Sequence, residues 1–540
     1  MKTKKAKGTT IMLTNTTWQS YRKEILEKKS MPSNWYILGI DLGTTNSVIS
    51  YYDPSAKEPV VIDISMGFGQ APLPSVVQYR PGEDEWVVGS EAYRTMKVYP
   101  RSTTRSIKSL MGSSDTVKMG HNNYTPQEIS AKILSELVSH VAILDPNAEI
   151  AGLVVSVPYD FGQSAKRDTL KAIQLAGLEP KLITLIEEPK AAALAYSFAF
   201  DLSLGENILV FDFGGGTLDI TIFQVVEKTK ETILIKVISE GGAINHGGDN
   251  IDQILLGYLS RQFESKTGQE IENIPIENQL EIFQQARETK ERLSRITGHR
   301  IPFSFAIPPF MEEIKRPFFE ELITPFIDKT KMLVHKSLQE AHPYPIEPKQ
   351  ISRVLLEGGS SGMPWVKSML GDIFGEEKIY VSKAPALDIS IGAAYYAAMK
   401  MGLINTPEME IPVEIQATIP HDIGIEVQLS TGPAFFGIIP KGTSYVLAKK
   451  SHTFTLFGET EEEMTSLALK LMERSNRDDD FEKCRTIGEF KINGLPPRPS
   501  GKTKLKLTLA VDESMVIKGM LEDMGFGKEY ESSGFKAFLS

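Results

Sequence analysis

The sequence predicts an α/β body followed by an all-β domain, and three observations carry that prediction. From about residue 35 to residue 401, short apolar strands alternate with helical patterns. A strand that ends in aspartate and runs into a glycine-rich turn occurs twice. Beyond residue 420 the chain breaks into short alternating strands divided by turn residues, the pattern of a sandwich. At 540 residues it exceeds what one hydrophobic core serves, so two or three domains are expected.

Residues 1–34 are rich in Lys and Thr and read as a basic, flexible segment, with Trp18, Tyr21, Ile25 and Leu26 spaced as in a short amphipathic helix. The body, residues 35–402, opens on the buried strand Trp35 to Ile40, stopped by Asp and Gly. Thr125-Pro126-Gln127-Glu128 is a capping box with Pro at the first helical position, and Ile129, Ile133, Leu134 and Leu137 give the helix one apolar face. Leu153 to Val157 is a second buried strand, and Ser164 to Leu175, closed by Gly177, a second helix. Pro407, Pro412 and Pro420 exclude an ordinary helix from residues 403–420, which read as a linker. Strands at Ile423–Val427, Phe435–Ile439, His452–Phe457, Leu467–Met472, Phe490–Ile492 and Leu505–Val511 make residues 421–525 a β-sandwich, leaving 526–540 as a short tail.

Composition narrows the function classes. A formal charge of -10 offers no basic field for phosphate backbones, so no nucleic-acid partner is expected. The single cysteine, Cys484, excludes an internal disulfide framework and fits a reducing compartment. No run approaches the about 18 apolar residues of a membrane span, so a cytoplasmic protein is expected.

The repeat is the most informative feature. Ile37 to Ile40 runs into Asp41-Leu42-Gly43-Thr44-Thr45-Asn46, and Ile208 to Phe211 runs into Asp212-Phe213-Gly214-Gly215-Gly216-Thr217. A glycine-rich turn between strands points successive N–H groups into one concavity, where they cradle phosphate oxygens, and Thr44, Thr45 and Thr217 add hydroxyl donors. The strand-end carboxylates of Asp41 and Asp212 can hold Mg²⁺ through water. Ordinary hairpin turns also use Asp-Gly pairs, but two copies plus a third glycine turn at Glu357-Gly358-Gly359-Ser360 favour a phosphate clamp. Ser500-Gly501-Lys502-Thr503 ends like a P-loop, yet Pro496 stands where its first glycine belongs, so it reads as a surface turn.

These three loops, in this order, resemble the 70-kilodalton heat-shock (DnaK-like) chaperones, as do Val157-Pro158, Glu188-Pro189-Lys190-Ala191-Ala192-Ala193, His246-Gly247-Gly248-Asp249, Arg316 to Leu322 and Gly392-Ala393-Ala394. The likeness runs from about residue 36 to about residue 525. It implies an actin-like, two-lobed, ribonuclease H-like ATPase domain that binds ATP or ADP with Mg²⁺, followed by a peptide-binding sandwich. Lys108 aligns with the family's catalytic lysine, Glu188 and Asp212 with acidic residues arranging water and Mg²⁺, and Pro158 with an interdomain relay. Lys290 and Ser294 align with residues touching the ribose and base, whereas Gly362 and Ala386 replace an arginine and an aspartate there. Ser451 to Thr455 and Ile487 to Gly501 resemble the sandwich, in which Phe435, Phe436 and Leu467 are candidate pocket residues for extended polypeptide.

The resemblance also brings a J-domain protein and a nucleotide-exchange factor as partners. Thr184, however, stands where bacterial members have an arginine meeting the J-domain. The linker carries Ile411-Pro412-Val413-Glu414-Ile415 in place of the usual leucines and aspartate, and a helical lid after the sandwich is not expected. The expected function is a slow, chaperone-type ATPase. Competing readings are a small-molecule kinase of the same superfamily and a nucleotide-dependent scaffold with little turnover.

Overall fold

A computed structural model describes residues 31–64, 72–178, 183–200, 202–228, 233–382, 385–404, 413–416, 419, 421–429, 432–443, 448–457, 465–474, 479–511, 516–527, 529–533 and 536–538. The basic segment before residue 31, its proposed helix, and most of the linker reading lie outside the described residues.

The sequence repeat is a structural repeat. In the first sheet β1 (Trp35–Asp41) and β2 (Asn46–Asp53) form the hairpin, β3 (Glu58–Val61) extends it, and, after helix α1 (Pro126–Leu144), β4 (Glu149–Val157) pairs with β1 in parallel. Helix α2 (Gln163–Leu175) leads to β5 (Ile183–Glu187), giving the order β5-β4-β1-β2-β3. Helix α3 (Glu188–Ala199) then crosses to the second sheet. There β6 (Asn207–Phe213), β7 (Thr217–Lys228) and β8 (Ile233–Ile244) form two antiparallel pairs. Helices α4 (Gly248–Thr267) and α5 (Ile276–Leu293) precede β9 (Arg353–Glu357) and β10 (Ile379–Val381), which add in parallel beside β6. The order β10-β9-β6-β7-β8 copies the first sheet strand for strand.

The Thr125 capping box forms as read, its side chain accepting from Glu128 N and its N–H donating to Glu128; such a cap contributes about 1 kcal/mol. Between the sheets pass α3 and α6 (Asp388–Met401), whose small residues permit close approach. Ala191, Ala192, Ala393 and Ala397 share one core with Ile37 and Val154 of the first sheet and Val210 and Leu355 of the second. A Cβ on Gly392 would collide with the Ala191 backbone, so this crossing holds only with glycine there.

Within the segment read as a linker, β11 (Val413–Gln416) pairs in parallel with β8, from Ile233↔Val413 to Lys236↔Gln416. Beyond it, β12 (Asp422–Leu429), β13 (Gly432–Ile439), β14 (Lys450–Leu456), β15 (Ser466–Arg474), β16 (Arg485–Asn493), β17 (Thr503–Val511), β18 (Ile517–Gly525) and β19 (Lys536–Phe538) form two four-stranded sheets, β13-β12-β15-β16 and β14-β17-β18-β19. Leu469, Leu471, Phe490, Leu505 and Leu507 lie between them. The segment after residue 525, read as a tail, thus returns as β19 to extend a sheet. Its return is fixed by Asp523, which takes two hydrogen bonds from buried Arg498 and one from Ser533 N. Those donors hold the Asp523 carboxyl far below the usual range despite burial.

The sandwich touches the first lobe. Gln163 N, at the start of α2, donates to Glu473 (3.2 Å), and Ile517 N donates to Gln163 Oε1 (2.9 Å). His421 Nε2 lies 3.3 Å from the Asp160 carbonyl.

Candidate nucleotide site

Both hairpin loops open at the same place, where β1 and β6 end between the lobes. Asp41 and Asp212 therefore face one cleft of about 820 Å³. Gly43, Thr44, Thr45 and Asn46 line it from the first loop, and Gly214, Gly215 and Thr217 from the second. The third turn brings Gly358, Gly359 and Ser360 to the same cleft. Gly358 has φ +77°, and a Cβ there would stand 2.6 Å from Asp212 Oδ1, so both the turn and the neighbouring carboxylate require glycine.

Gly247 and Gly248 lie behind the second loop. Gly248 N donates to Gly214 O (3.0 Å), Asp249 N to Gly215 O (2.7 Å) and His246 N to Gly216 O (3.3 Å). The start of α4 thereby ties down the loop's carbonyls, while Gly214 N closes the turn on Thr217 O (3.1 Å). Any side chain on Gly247 would strike the Gly215 backbone.

Lys108 sits on a 3-10 turn, Ile107–Leu110, and is 6% exposed, so it is no surface lysine. Its ammonium is paired with Glu188, itself buried at the start of α3. Burial alone would pull Lys108 down, but Glu188 and Asp41 beside it leave it above its ordinary value, so it is a fixed cation. Burial, with Glu188 adding to it, pushes Asp41 up to about 6. Burial together with Glu188 and Asp41 pushes Asp212 well above the usual carboxylate range. Three carboxyl groups thus converge on one ammonium, and the surplus negative charge is what a cation would relieve. Among the described residues no three acidic, His or Cys groups are grouped so as to hold a metal ion directly.

Ser106 was not singled out from the sequence, and Asp249 was read only as the end of the His246-Gly247-Gly248-Asp249 match. Ser106 Oγ donates to Asp249 Oδ2 (2.8 Å) and Thr45 Oγ1 lies 3.5 Å from Asp249 Oδ1, so this carboxylate joins the lobes beside the loops. The signal available was an acidic residue in the first turn of a helix, which also favours the helix dipole.

At the other end Lys290 and Ser294 line the cleft, but both are engaged within their own lobe. Lys290 bonds Gly248 O (2.9 Å) and pairs with Asp252 (2.8 Å), while Ser294 Oγ donates to Lys290 O (3.2 Å). Gly362, Pro385, Ala386 and Ile389 offer this end an apolar wall.

The remaining candidates lie elsewhere. Pro158 ends β4 and lines a second cavity. Phe435 lies under the Arg474 guanidinium at 4.7 Å, Phe436 stands 4.7 Å from the His452 ring, and Leu467 packs against the sandwich core.

The family described as Hsp70 protein matches residues 37–533. The chain is 32% identical over 506 residues to the chaperone protein DnaK of Thermotoga petrophila, covering 92% of this chain and 79% of that one. The DnaK proteins of Thermotoga neapolitana and Thermosipho africanus are 31% and 30% identical over the same span and shares of length. A match that runs through both the cleft and the sandwich exceeds what a shared nucleotide fold would give: the chain belongs to the Hsp70 family, the ATP-hydrolysing molecular chaperones.

Proposed function

We propose that ATP binds between the two sheets with its phosphates in the facing loops, and that Lys108, Glu188, Asp212 and Thr217 form the hydrolytic centre. The observation that carries this reading is the buried Lys108–Glu188 pair between two strand-end aspartates, in a cleft lined by the glycine-rich loops. A water oxygen bonds to the γ-phosphorus as the bond to the bridging oxygen breaks, leaving ADP and inorganic phosphate. Lys108 orients that water and offsets charge on the equatorial oxygens, and Thr217 adds a hydroxyl donor. Asp41 and Asp212 would hold Mg²⁺, which would supply charge neutralisation of the phosphate oxygens.

Residues 35–402 act as the nucleotide domain, the segment to residue 420 as the connection, and the sandwich as the site for extended polypeptide, with Phe435 and Phe436 the candidate contacts. Leu467 contributes from beneath, since it packs on the core. The pairing of β11 with the edge of the second sheet supports communication between the two parts. A nucleotide-exchange factor and a J-domain protein belong to this reading as partners. Thr184 is fully buried in β5, so a J-domain contact uses other residues. A cytoplasmic location is part of the proposal, and among the described residues no helix is long and apolar enough to cross a membrane.

The test is the steady-state ATPase rate of the full chain with and without an extended apolar peptide. Slow turnover accelerated by peptide is expected. Turnover indifferent to peptide would strike down the coupling, and no turnover would leave a nucleotide-dependent scaffold.

A further inference from the structure

The hydrolytic centre opens on two sides. In front is the nucleotide cleft; behind it a separate cavity of about 410 Å³ begins at Thr44, Lys108 and Thr217, which line both. It passes Phe161, whose ring lies 5.9 Å from Lys108 Nζ, and ends against Glu473, Arg485 and Thr486 of the sandwich. The catalytic pocket and the peptide domain thus line one continuous cavity.

We propose that this rear cavity is the exit path for the phosphate released by hydrolysis, and that Arg485 is its anion-binding residue. This rests on the hydrolytic reading of the front cleft. The argument is first geometric. After cleavage, ADP with its loops and ribose fills the front, so the detached phosphate meets an obstructed route forward and an open one behind Lys108. The charges then set the path. Lys108 stands at the inner end and Arg485 at the outer end, and Arg485 makes no hydrogen bond or ion pair among the described residues. A planar guanidinium of that kind suits a tetrahedral oxyanion.

The opposing charges in the same cavity, Glu473 and Asp160, lie in the field of Arg485 and have further contacts of their own. Glu473 accepts from Gln163 N at the positive end of helix α2, and any side chain on Gly162 would collide with its carboxylate, so Glu473 is held to the wall. Burial, with Glu188 adding to it, pushes Asp160 up to about 6. Because the outer wall belongs to the sandwich, a phosphate in transit touches the domain that holds polypeptide. Product release and the seating of the sandwich then act on each other directly, and release of product is a step that often limits turnover.

The experiment separates three steps in the full chain: hydrolysis by rapid quench, phosphate appearance by a fluorescent phosphate sensor, and equilibrium binding of radiolabelled inorganic phosphate in the presence of ADP. Arg485 and Thr486 are both exposed and outside the hydrolytic centre. R485A is expected to weaken phosphate binding by about tenfold, the worth of one charge-assisted hydrogen bond. Thr486→Trp, which narrows the mouth, is expected to slow phosphate appearance severalfold while the quench rate stays unchanged. Wild-type phosphate binding in R485A together with undelayed release in Thr486→Trp would overturn the exit path. Absent hydrolysis in the wild type would instead overturn the ATPase reading, and the binding measurement would still decide whether Arg485 holds phosphate.

Discussion

The two ends of the nucleotide cleft are built by different means. The phosphate end is made of backbone turns and buried charge: Gly358 and the 214–216 loop are placed by main-chain hydrogen bonds, and Lys108, Glu188 and Asp212 are buried beside Asp41. The adenosine end is made of long side chains on α5 and of an apolar wall. Arg287 lies over Tyr93 at 5.3 Å and pairs with the exposed Glu291, and Arg105 lies 3.5 Å from the Phe283 ring centroid. Backbone geometry tolerates little change, whereas surface side chains can be exchanged. Residue identity should therefore govern function at the first end far more than at the second.

The largest effect is expected at the phosphate end. Lys108→Ala removes the ammonium paired with Glu188 and should slow hydrolysis by about 10²-fold or more, with nucleotide binding retained. Single-turnover rates decide this, and a rate within a fewfold of wild type would reverse the contrast between the ends. Next in size, Asp41→Asn and Asp212→Asn should abolish most of the gain in nucleotide affinity that Mg²⁺ gives. The measurement is a titration with and without the ion. Full retention would mean that these carboxylates are structural and that the cation sits elsewhere.

A smaller loss tests the backbone itself. Gly358→Ala meets a φ of +77° and brings a methyl within 2.6 Å of Asp212 Oδ1. Left-handed strain alone costs about 1–3 kcal/mol, so the folded chain should melt earlier and bind nucleotide more weakly. Unchanged melting with weakened binding would locate the whole cost in the displaced carboxylate.

The same contrast explains what could be read in the sequence. Local chemistry announced the loops: Asp41 and Asp212 end apolar runs, and glycine has few other reasons to cluster after them. The Thr125 box likewise formed as written because all its partners lie within four residues. What stayed hidden depends on contacts between distant segments. Nothing around Asp249 indicates that it reaches Ser106, 143 residues away, and nothing around Glu473 indicates that it caps a helix 310 residues earlier. The strand β18 was missed because Ile517-Lys518-Gly519-Met520 carries a glycine in its middle, and β19 because only three residues pair. Lys108 was placed by resemblance alone, since its burial follows from the lobe closing over a 3-10 turn.

The smallest expected effect lies at the adenosine end and sharpens the comparison most. Arg287 bridges α5 to Tyr93, and a half-buried cation–π contact of this kind is worth on the order of 1 kcal/mol. Its ion pair with Glu291 adds little, because Glu291 is 59% exposed. Arg287→Ala should therefore speed nucleotide dissociation only a fewfold and leave the hydrolysis step untouched, as measured by displacement of a fluorescent nucleotide. Because the segment carrying Tyr93 and α5 face each other across the cleft, loss of this contact loosens the mouth without touching the loops. If Arg287→Ala instead matched Lys108→Ala in its effect on hydrolysis, the mouth and the phosphate loops would be acting as one rigid unit, and side chains at the mouth would carry as much of the function as the backbone beneath them.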